Sequence, residues 1–596
     1  MKARALLSFF LLVCVWTAWA IDAPTGVVTR SGDRSIVLHW DRSPDPNLNF
    51  YRVYRSFTPD GTFLTLSNKV IQPSFADFGV TNGQPYYYKV STISKLNEES
   101  VVTDAVSATP KPFTSDNEFL DYVQRTGVDY FWYEANPTNG LVRDRSTAGS
   151  PCSIAAVGFG LTAIAVGVER GWLDRAAARQ RVLTTLKTFW EGPQGFASAG
   201  TIGYKGWFYH FLKMNLAIRD GTTELSSIDT ALLLGGVMYS GLFFDSADPD
   251  EASIRTLADS IYNRVDWNFM TYQTNVLRMG WLPEGGLLAG SWLGYNEASI
   301  LYLLAIGAPT NPLPAASWTS WCSTYGFSTK FGPGFVPFPP LFGHQYSQCW
   351  VDMRHTADPF MASKGLTYFE NSRRATLYQR NYCMTNSARF PWYGSNTWGI
   401  TACDGPNGYL ARGAVPVQAD DGTIAPTAPG GSMPFAPEFC LPALRTMYEL
   451  YRTNLWTGYG FRDAYNLKNS GWWGPDVLGI DQGPIVIMIE NYRSGGVWKR
   501  FMKSEVIRRG LEKAGFVPLP TMRSDIQFSP APPGVNLSWG SIAGRTYQVE
   551  VSPDLDYWSF PPTAQLTANG ATLNWTDPDT SGISTRFYRV FQFGTP

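Results

Sequence analysis

The chain is poor in the residues that hold metals. Its four histidines, His39, His210, His344 and His355, show no H-x-x-x-H or H-E-x-x-H spacing, and its seven cysteines form no C-x-x-C pair. No metal site and no cofactor are therefore predicted. A G-x-S-x-G elbow and a G-x-x-x-x-G-K-[ST] loop are also missing, which removes serine-hydrolase and P-loop chemistry. Only 16% of residues are charged, the formal net charge is -1, and lysine and arginine do not cluster, so neither nucleic acid nor an anionic membrane is the expected partner. Beyond the N-terminus the apolar stretches Ile154 to Val168 and Ala231 to Phe244 are dotted with glycine. Both are shorter than the roughly 20 residues a membrane helix needs.

What is present begins with a leader. Lys2 and Arg4 precede an apolar stretch through Leu6, Phe10 and Val15, followed by Ala18-Trp19-Ala20. That order predicts a secretory signal over 1–20, a mature chain starting near Ile21, and a secreted or periplasmic protein without an anchor after cleavage. Cys152, Cys322, Cys349, Cys383, Cys403 and Cys440 would then lie in an oxidising compartment where pairing is possible.

A length of 596 residues exceeds one ordinary core, and three segments differ in period. Over 22–110, runs such as Ile36-Val37-Leu38-His39-Trp40 and Tyr51-Arg52-Val53-Tyr54 alternate between turn residues. They predict about seven antiparallel strands in a sandwich. Over 113–518 the spacing is helical, in Asn117 to Trp132, Ile154 to Arg170, Asp174 to Trp190, Ser227 to Phe244, Tyr295 to Ile306, Arg373 to Met384, Ala436 to Arg452 and Pro484 to Arg493. About ten such stretches joined by long aromatic loops predict a toroid of helical hairpins with a pocket at one end. Over 523–596 alternation returns in Val535 to Trp539, Thr546 to Val551 and Phe587 to Phe591, a second small β module whose aromatics are expected to be core.

Sixteen of the twenty-two tryptophans fall between Trp132 and Trp498, among acids, amides and glycines. Indoles stack on the CH faces of pyranose rings while carboxylates and amides take the hydroxyl edges, so the mixture points to a saccharide. A glucan or oligosaccharide is the expected partner, bound by a monomer.

The N-terminal segment resembles a fibronectin type III domain through its buried-tryptophan, YRVYRS and YYYKVS strands. The central segment, in SSIDTALL, YFENSRRAT, DGPNGY, DDGTIAPTA and IDQGPI, resembles glycoside hydrolase family 144, the glucoamylase-like group. The resemblance spans Phe113 to Phe516 and implies an (α/α)6 barrel and hydrolysis of β-1,2-linked glucans with inversion. It also implies that Asp229 stands where the glucanases of this family place a glutamate general acid, here as the shorter residue.

Glycosidic cleavage needs two carboxyl groups in one pocket. The catalytic candidates are Asp229, Glu297 and Asp144, each with an ordinary alternative: a capping box around Ser226 for Asp229, the helix dipole for Glu297, and a surface ion pair for Asp144. Substrate contacts are expected from Asp352, Arg354, Glu370, Asn371, Arg373, Arg374, Asp404, Tyr409, Asp421, Asp481 and Gln482. The alternatives here are internal salt bridges for the arginines and turn or cap roles for Asp404 and Asp481. Trp392, Tyr393 and Trp398 are expected to stack on sugar, and Trp172 and Trp190 to be core. Endo action is favoured over exo action. A lyase, a glycan-binding protein without turnover, another linkage or phosphorolysis would use similar residue types.

Overall fold

The computed structural model describes residues 21–518 apart from 272–273 and 330–333. In the C-terminal part it describes 524–530, 533–541, 543–553, 559, 561, 563–578 and 585–593. The leader read at 1–20 lies outside the described residues. The chain divides into two compact units, Met1–Lys111 and Pro112–Pro596.

In the first unit the alternation produces seven strands: β1 (Val28–Gly32), β2 (Ser35–His39), β3 (Leu48–Ser56), β4 (Leu64–Val70), β5 (Ser74–Asp77), β6 (Tyr86–Ser94) and β7 (Val106–Ala108). They form one antiparallel sheet of order β1-β2-β5 and another of order β4-β3-β6-β7. Ile36, Leu38 and Trp40 from one side and Tyr51, Val53, Tyr88 and Val90 from the other share a core. Trp40 is fully buried and meets Tyr51 edge-on at 5.2 Å.

The second unit is built on helices. Its first part holds α1 (Asp116–Tyr133), α2 (Ile154–Glu169), α3 (Arg175–Glu191), α4 (Ser227–Phe243), α5 (Pro249–Asn263), α6 (Ser299–Gly307) and α7 (Ala316–Cys322). It continues with α8 (Pro359–Ser363), α9 (Tyr368–Thr385), α10 (Thr427–Gly431), α11 (Pro437–Leu455), α12 (Gly479–Arg493), α13 (Gly496–Phe501) and α14 (Glu505–Lys513). Side-chain oxygens start several of them: Ser153, Asp174, Ser226 and Asp248 each accept a first-turn amide. α2, α4, α6 and α12 are apolar on nearly every side and buried, whereas α3 and α5 show one buried stripe. Burial on every face marks inner helices, and a single stripe marks the layer that covers them.

α2 packs on α4 and on α12, and α4 on α6. The α2–α4 contact is close because glycines meet there: a Cβ on Gly158 would lie 2.2 Å from the Leu232 carbonyl oxygen, and one on Gly236 would lie 2.0 Å from the Gly158 carbonyl oxygen. The Gly479–Arg493 helix starts five residues ahead of the Pro484 at which the sequence places it. Leu478 is its N-cap, so Asp481 is not a cap but a buried residue of the first turn.

The C-terminal strands have their own core of Val535, Leu537, Trp539, Tyr547, Val549 and Trp575, as their spacing predicts. Glu550 from these strands comes within 3.8 Å of Arg373 on α9. The six cysteines expected to be able to pair are all free thiols, five of them buried in the helical packing.

Candidate active site

The N-terminal ends of the inner helices carry the acidic residues. Strand pairing brings them together: Phe211–Leu212, just after His210, pairs with Cys152–Ser153 at the entry to α2. His210 itself accepts a hydrogen bond from the Ile154 amide at 3.2 Å and donates its own amide to the Glu224 carbonyl at 2.9 Å. It is thereby held between the segments that lead into α2 and α4.

Asp229 lies in the first turn of α4. Its amide is capped by the Ser226 hydroxyl, and its carboxylate accepts from that same hydroxyl, so the capping alternative holds in part. The carboxylate also faces His210, with Oδ2 at 3.5 Å from Nε2. On its other edge His210 meets Glu224 at 3.1 Å through Nδ1. Burial works against charge on this imidazole, but the surrounding Asp229, Glu224 and Asp144 outweigh it and push its pKa up to about 9. The same hydrogen bond holds the Glu224 carboxyl below its usual range.

Glu297 stands two residues ahead of α6, where its backbone oxygen accepts from the Ser347 hydroxyl. Its carboxyl Oε2 is buried with no hydrogen-bond partner. Burial, with the Asp229 charge adding to it, pushes this carboxyl up to about 7. A side chain that keeps its proton near neutral pH can give it away.

Asp144 lies in the loop between α1 and α2. Its amide donates to Pro151 and its carbonyl accepts from Gly479 at the start of α12. Burial raises its carboxyl, and Arg145 beside it and His210 work the other way. Arg145 reaches Asp404 at 2.9 Å and Asp476 at 3.7 Å as well. Deeper still, Asp463 accepts the Asp404 amide at 2.8 Å and is pushed up to about 7, first by burial. Asp481 beside it is pushed well above the ordinary carboxyl range by burial and by Asp463. Tyr409 is 62% exposed; burial first, and then the neighbouring charges, Glu297 and Asp481 among them, raise its hydroxyl.

The structure therefore brings together Asp144, Asp229, Glu297, Asp404, Tyr409 and Asp481. Other candidates serve the framework. Trp398 is fully buried and Tyr393 nearly so, with its hydroxyl on Asp420, so neither offers a face to sugar. Trp392 is half-buried, its indole N–H on the Gly422 carbonyl. Asn371 clamps both backbone groups of Val336, and Gln482 donates to the Phe461 carbonyl; both are buried. The internal salt bridges weighed against the arginines are present: Arg373 with Glu438 at 2.7 Å, Arg374 with Glu370 at 2.9 Å, and Arg354 bidentate to Asp352 while lying over Trp498. Asp421 is taken by Arg412 in the same way, which holds its carboxyl low despite burial. Trp190, expected in the core, is 39% exposed beneath Arg264.

His210, Arg145 and Asp463 were missed. The first two sit in segments whose only sequence signal is turn composition, and Arg145 finds its partners as far along the chain as Asp404 and Asp476. A separate hollow of about 480 Å³, lined by residues such as Arg170, Glu490, Arg493 and Lys499, sits at the C-terminal ends of α2 and α12. A helix of fifteen or sixteen residues is about 24 Å long, so this hollow is far from the acidic end.

Residues 290–505 match the family described as "Putative glucoamylase". The exo β-1,2-glucooligosaccharide sophorohydrolase (non-reducing end) of Parabacteroides distasonis is 30% identical over 531 residues, 83% of this chain and 71% of that one. Among solved structures, a β-1,2-glucanase from Parabacteroides distasonis aligns with a TM-score of 0.75 and 27% identity, covering 83% of this chain and 73% of that one. An endo-β-1,2-glucanase from Chitinophaga pinensis, in complex with sophorotriose and glucose, aligns at 0.62 and 27%, covering 68% and 99%. The helical core with β-rich flanks is shared with these relatives, and the chain is a glycoside hydrolase. The chain belongs to glycoside hydrolase family 144, the glucoamylase-like group.

Proposed function

We propose that the chain is a secreted, monomeric hydrolase of β-1,2-glucan that inverts the anomeric centre, with its helices closed as an (α/α)6 barrel behind a fibronectin type III domain. The observation that carries the reading is Glu297: a buried carboxyl with a free oxygen, raised to about 7, in the same acidic patch as Asp229 and Asp144. Glu297 gives its proton to the bridging oxygen as the bond to the anomeric carbon breaks. Asp229 takes a proton from the water that attacks from the opposite face. Asp144, Asp404 and Asp481 accept sugar hydroxyls, and Tyr409 offers a stacking face.

Sophorose release from a chain end is favoured over the endo action expected from the sequence. The helical segment is about two thirds of the chain, the share covered by the endo-acting Chitinophaga relative, whereas likeness to the exo-acting relative runs over 83%. That likeness therefore extends into the β-rich parts of the chain. Incubation with linear β-1,2-glucan, laminarin and soluble starch, with and without phosphate, tests the reading. Sophorose should be the main early product from the first substrate alone, independent of phosphate, with little early loss of viscosity. Absence of sugar release from β-1,2-glucan refutes the assignment, and a ladder of long products refutes exo action.

A further inference from the structure

The Ser226 cap accounts for part of the Asp229 environment, but it does not require that Asp229 and Glu224 face opposite edges of His210. His210 is presented by backbone hydrogen bonds from Ile154 and to Glu224, and its ring is stacked on Phe211 at 4.0 Å with 15° between planes, which fixes both edges. One edge faces Glu224 at 3.1 Å and the other faces Asp229 at 3.5 Å. Asp144, from the loop ahead of α2, is the third carboxylate in its field, and Glu297 lies beyond Asp229. Arg145, beside Asp144, is engaged by Asp144, Asp404 and Asp476. A neutral imidazole could donate to only one of its two neighbours, and the other would face a lone pair.

We propose that His210 is a positioning residue, doubly protonated in the working enzyme, whose two N–H groups face Glu224 and Asp229 and so aim Asp229 while Glu297 carries the proton. The inference rests on the hydrolase reading above and assigns, within that reading, which carboxyl is acid and which is base. It also gives a reason for the short side chain at 229: an aspartate held by an imidazolium has the charge and the fixed orientation that a base requires and an acid does not.

The chain's four histidines make the test direct. Full-length protein with ¹⁵N-labelled histidine is titrated from pH 5 to 10, following imidazole ¹H–¹⁵N spectra without substrate. One ring should stay doubly protonated through pH 8, and its signals should be those lost in His210→Gln. His344, fully buried and pushed down to about 3, should stay neutral throughout. In Asp229→Asn the high titration should fall by about one unit or more. Neutral imidazoles throughout at pH 8, or a titration unmoved by both Asp229→Asn and Glu224→Gln, overturns the proposal. In kinetics, His210→Gln should shift the acid limb of kcat/KM to higher pH by about one unit, with KM on the plateau within about twofold. An equal loss at every pH indicates a merely structural histidine and also overturns it. The spectra need no substrate, so failure of the glucan assignment would leave their result readable.

Discussion

Glu297→Gln is expected to lower kcat/KM on β-1,2-glucan by about 10²–10⁴, the usual worth of a positioned general acid. The amide matches the carboxyl in size and, like the protonated carboxyl, is neutral, so the change removes the transferable proton and little else. Stability separates this from damage to the fold. The folded carboxyl is raised above its unfolded value, to about 7. It therefore contributes stability that is fully present below the ordinary glutamate range and is lost as pH rises through about 7. The wild-type Tm should fall across that window, and the glutamine variant should lose this part of the fall. Activity within tenfold of wild type in a folded variant would strike Glu297 from the catalytic role.

Gly158→Ala is expected to destabilise the inner helix contact by about 3 kcal/mol. The added carbon would lie 2.2 Å from the Leu232 carbonyl oxygen and 2.7 Å from the Leu233 Cα, both backbone atoms that cannot turn away. α2 and α4 would have to separate. Because Asp229 starts α4 and His210 is tied to the first residue of α2, the same shift would spread the site. Denaturant unfolding gives the stability and kcat/KM gives the site. A variant within 1 kcal/mol of wild type would mean that the contact yields more readily than its geometry indicates.

Much of the fold was legible because it rests on local patterns. The eight helical stretches named from periodicity all correspond to helices, and the seven-strand sandwich follows from alternation. The boundary at α12 was misplaced because Pro484 reads as a start, whereas the helix begins at Gly479 and carries the proline inside. Tryptophan was the least reliable guide. Trp207, Trp267, Trp318, Trp321, Trp350, Trp398, Trp456 and Trp498 are all buried, since wide gaps between paired helix layers are filled by indoles as readily as sugars are stacked by them. The arginine candidates took up the internal salt bridges that were their alternative: Arg373, Arg374 and Arg354 each face a carboxylate a short distance away.

The sequence by itself determined the order of β, α and β segments, the helices with their serine and aspartate caps, and three catalytic candidates. Those depend on contacts within a few residues, where spacing sets geometry. Tertiary structure alone decided that Glu297 is desolvated with one oxygen free, that burial raises the carboxyls of Asp463 and Asp481, and that His210 lies between two carboxylates. Burial and charge proximity are properties of space, and they arise here only when helix N-termini far apart in the chain are packed against one another.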